Sequence, residues 1–411
     1  MHALFNALAS MEKEGKDRLI TGSYLAACMG NFLLFFGFYI LLPVLPLYLI
    51  ESFEASKSQV GLVLSGYTVA ALLVRPFTAY FADMFRRKPL YLCAYICFVL
   101  LFVSYPLVAS IMLFLLMRVL HGLAFGAVTT LSNTLIVDIM PASRRGEGLG
   151  YFGMANNLAM AVGPMIGLFI HDISTNFLPI FQIAIASGVT GFIFASLIKV
   201  PHKEPLAKES LSFDRFFLPR GLLAGFCLFL LGMPYGITTT YIALFGRELG
   251  LNSGMGIFFS LMAAGLIISR LFAGRLVDRG KLTQVIFVGS LICAATFLIL
   301  ALLRMLPVGL DLLALLLYSV ALLLGVGYGM MFPAYNTLFV NLAPHNRRAT
   351  ASSTYLTSWD VGIGIGLVGG GYMAEYAGMT ATYSVAAGAA LLSALVFKQW
   401  TAAHFHKHKF R

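Results

Sequence analysis

Asp360 lies about eleven residues into an otherwise apolar run at 349–376, roughly 17 Å along a helix rising 1.5 Å per residue. If that run crosses a bilayer, the carboxylate sits near mid-membrane. A charge there costs about 2.5–3.5 kcal/mol on insertion scales, which makes an intramembrane acid a functional candidate, and desolvation suits it to carrying a proton. Arg118 is a second intramembrane charge, with His121 and then Phe125 at successive turns of the same face. Asn31, Phe35 and Tyr39 form a polar-aromatic stripe at i, i+4 and i+8, with no acid among them. Tyr235, with Thr239 in the Thr238–Tyr241 stretch, Asn157 and Asn336 extend the set of candidate cavity residues.

Enzyme chemistry has no comparable signal. No HExxH or GxSxG segment occurs, and the stretch from Gly274 to Leu282 has the wrong spacing and the wrong residue after its lysine for a phosphate-binding loop. The five cysteines all lie in apolar runs without CxxC spacing, so neither disulfide nor metal cluster is expected. The tail histidines 404, 406 and 408 alternate with cations and read as a solvated end. We expect no catalytic residue, no metal, no cofactor and no nucleic-acid partner.

The elements that must hold these residues are membrane helices. The chain has 411 residues, 59% hydrophobic and 11% charged, where a soluble protein carries about 25% charged residues. Apolar runs long enough to span (about 20 residues each) fall near 20–50, 57–82, 89–109, 111–139, 147–171, 177–199, 221–246, 253–278, 282–303, 312–341, 349–376 and 380–399. We number them spans 1 to 12. All but six of the 28 Lys and Arg fall at one end of the spans; Lys57, Arg247 and Arg304 lie at the other, and Arg75, Arg118 and Arg270 lie within runs. By the positive-inside rule both termini are expected in the cytoplasm. The acidic, long N-terminal segment is not a secretory signal, so span 1 is expected to be retained.

The polar stretch 201–219 separates two sets of six spans, giving a cytoplasmic segment 1–20, an N-terminal bundle 21–200, a linker 201–219, a C-terminal bundle 220–400 and a tail 401–411. The halves are related by duplication. Arg75 and Asp83 recur 195 residues later as Arg270 and Asp278, and Gly122, Gly126, Asn133 and Pro141 recur at an offset of 203 as Gly325, Gly329, Asn336 and Pro344. The difference in offset places about eight extra residues in the outer loop near 304–311. At the later offset Asp360 corresponds to Asn157, and Arg118 to Ala321. Each buried charge is therefore unique to one half.

Together these features resemble the major facilitator superfamily over essentially the whole chain. The loop after span 2, Ala79 to Lys88 with Asp83, Arg86 and Arg87, is similar to the family's G-x-L-a-D-r-x-G-r-k signature, with Ala79 and Arg86 replacing its glycines. The second copy, Gly274 to Lys281 with Asp278 and Arg279, keeps both glycines and is one residue short. Arg118 to Gly122 resembles the R-x-x-q-G motif of proton-coupled members. Gly150, Gly163, Pro164 and Gly167 stand at the spacing of the drug/proton antiporter motif, with Ala159 and Leu168 as departures.

The resemblance implies an all-α membrane fold of two pseudosymmetric six-helix bundles working by alternating access. It implies that Arg118 assists proton exchange at a nearby acid. It further implies a cytoplasmic latch built from Asp83, Asp278 and their basic neighbours Arg86, Arg87 and Arg279 when the cavity opens outward, which Arg75 and Arg270 would join unless they snorkel to lipid phosphate, and a span-5 hinge. The expected function is export of a small amphipathic organic molecule in exchange for protons, driven by the proton gradient, from a monomer in a bacterial inner membrane. The alternative is a dedicated metabolite porter of sugar-efflux or organic-acid type, with uptake by proton symport also open.

Overall fold

The computed structural model describes residues 18–141, 144–174, 176–200, 218–251, 253–344 and 348–410. The expected N-terminal segment and linker fall almost entirely outside the described residues. All twelve expected spans are helical. Span 1 is Gly22–Leu41 continued by Val44–Phe53; span 2 is Lys57–Met84, span 3 Arg87–Ser104, span 4 Ile111–Ile139, span 5 Arg145–Ser174 and span 6 Leu178–Leu197. The second set is span 7 Leu222–Glu248, span 8 Met255–Asp278, span 9 Leu282–Leu302, span 10 Leu310–Asn341, span 11 Arg348–Tyr376 and span 12 Gly378–Val396. Eleven of these are long and apolar enough to cross a membrane by themselves. Span 11 is long enough at 29 residues; its lower hydropathy comes from Ser352, Ser353, Thr354, Thr357, Ser358 and Asp360.

Local chemistry sets the boundaries. Thr21 accepts the Tyr24 N–H at 3.2 Å to start span 1, and Ser56 with Gln59 forms a reciprocal capping box at span 2. Span 1 breaks at Leu42–Pro43 because proline has no N–H to donate and crowds the preceding turn. After the break the chain leaves the helix at Glu54 in the left-handed region, φ 52°.

Duplication is visible in the packing. A Cβ on Gly122 would lie 2.2 Å from the Tyr67 carbonyl oxygen, and one on Gly325 2.0 Å from that of Met262. Gly126 meets the Ala71 carbonyl at 2.4 Å, and Gly329 that of Leu266 at 2.7 Å. Tyr67 and Ala71 map onto Met262 and Leu266 at the offset of the earlier repeat block. The spans 2 and 4 contact is therefore rebuilt by spans 8 and 10, at a separation only glycine allows.

The extra residues of the C-terminal half are not concentrated in the outer loop. Span 9 has 21 residues against 18 for span 3, and span 10 has 32 against 29 for span 4. A helix absorbs three or four residues as nearly one turn, which keeps every side chain on its face.

The halves meet along span 2 against span 11 and span 5 against span 8. Toward the outer end, named as such from the charge bias, these seams are tight: a Cβ on Gly61 would lie 2.3 Å from the Leu367 oxygen, on Gly371 2.4 Å from that of Lys57, and on Gly256 2.9 Å from that of Met165. Toward the inner end Gly150, Gly153 and Gly274 have nothing within 4 Å among the described residues. The seams thus close outside and part inside.

Candidate functional site

Three of the intramembrane charges, Arg75, Asp360 and Arg270, make two pseudosymmetric contacts across the seams, with the neutral Asn157 as the fourth partner. On one seam the Arg75 guanidinium of span 2 donates to the Asp360 carboxylate of span 11. On the other, Arg270 of span 8 donates through Nη2 to Asn157 Oδ1 of span 5 at 3.3 Å, and its Nε has no partner among the described residues. Arg75 and Arg270 are repeat equivalents, as are Asp360 and Asn157. One seam therefore carries a salt bridge where the other has a neutral hydrogen bond. Side chains of the charged pair keep 28% and 20% of their exposure, and a cavity of about 430 Å³ lined by Ser65, Thr68, Leu72, Asp360, Gly364 and Val368 opens beside them. A wider one of about 990 Å³ lies on the flank of spans 1, 5 and 6 and contains none of the paired charges.

Aromatic walls flank the pairs. In the N-terminal half Phe38 stacks on Phe125 at 4.9 Å and on Tyr67 at 5.2 Å, with Phe35 edge-on to Phe125 at 5.6 Å. In the other half Tyr235, Tyr328, Phe332 and Trp359 pack on one another, Phe332 and Trp359 at 4.7 Å. The Tyr235 hydroxyl crosses to Met160 Sδ at 3.2 Å. Tyr39 and Tyr355 lie within electrostatic reach of Asp360.

This two-bundle arrangement fits what comparison with known proteins finds. The Major Facilitator Superfamily model matches residues 27–367 and 313–409. The chain belongs to the Major Facilitator Superfamily. It is 26% identical over 381 residues to the uncharacterized MFS-type transporter YhhS of Shigella flexneri, covering 90% of each chain. It is 28% identical over 167 residues to the quinolone resistance protein NorA of Staphylococcus aureus, 41% of this chain and 42% of that one. Its fold is similar to that of a D-xylose-proton symporter, with a TM-score of 0.76 at 14% identity, covering 93% of this chain and 98% of the other. The protein is thus a multi-pass membrane transporter of small molecules.

Within this superfamily transporter several expected residues take unexpected places. Arg75 and Arg270, expected at the cytoplasmic latch, serve the two mid-span contacts among the described residues. Arg87 donates to Asp138 at 2.6 Å and to the Ala82 carbonyl, both within its own half. Arg86 and Arg279 are exposed, and the side chains of Asp83 and Asp278 lie outside the described residues.

Arg118 also departs from expectation. It is 3% exposed, with no carboxylate paired to it among the described residues. Its guanidinium lies 4.1 Å over the Tyr67 ring and donates to the Tyr105 hydroxyl at 3.0 Å, which in turn lies 2.5 Å from His121 Nδ1. The face shared with His121 and Phe125 is real, but it is turned into the N-terminal bundle. Arg118 and Asp360 are not partners.

Among the other expected residues, Asn31 is buried, and Thr239 is buried with its hydroxyl bonded to the Tyr235 carbonyl at 3.0 Å, a common fate of threonine one turn after a residue in a helix. Asn336 is exposed near the inner end of span 10. Gly163 and Gly167 lie against Tyr39 and Ile40 of span 1, a Cβ on Gly167 reaching 2.2 Å from the Ile40 oxygen; Gly150 faces open space.

Sequence reasoning missed the outer closure. Lys57 pairs with Glu248, Arg247 donates to Glu51 at 2.5 Å, the Ser58 N–H and hydroxyl donate to Glu375, and the Gly254 N–H donates to Asp172 Oδ2 at 2.8 Å. Each joins the two halves. The only signal was that Lys57 and Arg247 break the positive-inside pattern.

Proposed function

We propose that the protein exports small amphipathic organic molecules in exchange for protons, with Asp360 as the proton site and Arg75 as its switch partner. The observation that carries this is the pair of equivalent seams, one charged and one neutral. A protonated Asp360 has the shape and charge of Asn157. Proton binding therefore converts the Arg75–Asp360 salt bridge into the neutral contact already present at Arg270–Asn157, and weakens one seam selectively. Protonation and pairing compete for the same carboxylate, so proton uptake is tied to separation of spans 2 and 11.

Export rather than uptake is supported by the span-5 glycine-proline spacing and by similarity to a protein named for quinolone resistance. The paired aromatic walls suit flat or amphipathic molecules. We infer a bacterial inner-membrane monomer with both termini cytoplasmic, consistent with the charge bias. One proton driven by 100 mV supplies about 2.3 kcal/mol, enough for roughly a fifty-fold gradient.

The test is substrate efflux from everted vesicles and growth of an efflux-deficient host on toxic amphiphiles, comparing the native protein with Asp360→Asn. Protection and pH-dependent flux lost in the variant are the expected result. Exchange independent of pH and unaltered by Asp360→Asn would overturn the coupling role, and absence of protection by both membrane-inserted proteins would move the reading to a metabolite carrier.

A further inference from the structure

His171 stands at the outer end of span 5 with 5% of its side chain exposed. Its Nε2 is 3.6 Å from Glu51 Oε2 and its Nδ1 4.0 Å from Asp172 Oδ1, and Nε2 is buried without a hydrogen-bond partner among the described residues. The ring of Phe177 covers it at 4.9 Å between centroids. Both carboxylates belong to the same half as His171, and both are engaged across the outer seam: Glu51 by Arg247 of span 7, Asp172 by the Gly254 N–H at the start of span 8. Tyr318 of span 10 touches the Gly254 carbonyl at 3.2 Å. The imidazole is therefore the common neighbour of two of the contacts that shut the outside.

We propose that His171 is a second proton-binding site, distinct from Asp360, whose protonation releases the outer closure. Neutral imidazole leaves Glu51 and Asp172 free to hold Arg247 and the span-8 N-terminus. Imidazolium satisfies both carboxylates from within their own half and reduces the net charge facing Arg247 from two negative charges to one. The reciprocal effect has the same sign. By linkage, a proton that favours the open state is bound more tightly in that state by the same factor.

This inference rests on the alternating-access reading but not on the substrate or on Asp360. Its test therefore reads the gate alone. Spin labels at Ala109 and Pro307, exposed positions in outer loops of the two halves, are placed in a full-length protein lacking its five native cysteines and carrying Asp360→Asn, and inter-label distances are measured in detergent from pH 8 to pH 5.5. The expected result is a shift toward longer distances on acidification, lost in His171→Gln and present at every pH in Arg247→Gln, which removes the competing cation. A His171→Gln protein that keeps the native pH shift, or an Arg247→Gln protein that remains closed at pH 8, would overturn the proposal. Failure here with Asp360→Asn still inactive in efflux would leave the coupling reading intact.

Discussion

Arg75 and Arg270 hold equivalent places in the two repeats and meet different partners, an internal comparison that isolates one charge. Replacing Arg75 by Gln strands a half-buried carboxylate, which we expect to lower stability by about 1–3 kcal/mol, less than for a fully buried pair because Asp360 keeps some exposure. The double variant Arg75→Gln with Asp360→Asn should recover most of that loss in thermal unfolding while remaining uncoupled. The converse is Asn157→Asp. It gives Arg270 a carboxylate, makes both seams charged, and is expected to slow transport at neutral pH with recovery on acidification, measured as flux against pH. Neither outcome follows from packing alone, since Asn and Asp are nearly isosteric.

At the level of elements, glycine spacing decides how closely spans approach. Gly122 and Gly325 face carbonyl oxygens at 2.2 and 2.0 Å from a built Cβ, so alanine at either must push two helices apart, costing about 1–3 kcal/mol against the roughly 1 kcal/mol that alanine gains in a helix. A lower melting temperature is expected for both. Gly153 meets nothing within 4 Å, and Gly153→Leu should leave the melting temperature intact while slowing transport, if spans 5 and 8 converge inside during the cycle. Unchanged flux in that variant would argue that their inner ends never meet. The one-turn extensions of spans 9 and 10 belong to the same scale, because a helix lengthened by a turn keeps its face.

For the whole molecule, the distribution of inter-half bonds sets which side is shut. Among the described residues they run from the outer ends down to the Arg75 and Arg270 level. The outer pairs are partly exposed, each worth about 0.2–1 kcal/mol and screened by salt. Glu248→Gln removes the cross-half partner of Lys57 and should raise the outward-open fraction about 1.4- to 5-fold. Spin-label distances between the outer loops measure this directly, and the difference should shrink at high ionic strength.

Twelve spans, a duplicated six-helix plan and a mid-membrane acid were legible from sequence because they rest on local or periodic properties: apolar run length, cation bias, and repeated glycines at constant offsets. The Asp360/Asn157 asymmetry was legible for the same reason. Which arginine meets Asp360 was not. Arg118 was the expected influence on it, yet Arg75, 285 residues away in the chain, is its partner, because only the crossing of spans 2 and 11 brings them level. His171 and the outer pairs were invisible for a related reason: single polar residues at helix ends carry no pattern, and their meaning arises only when two halves are docked. Sequence settled what can cross a membrane and what is repeated; tertiary structure decided which charges oppose each other across the seams, since electrostatic pairing depends on distances of a few ångströms that no spacing along the chain encodes.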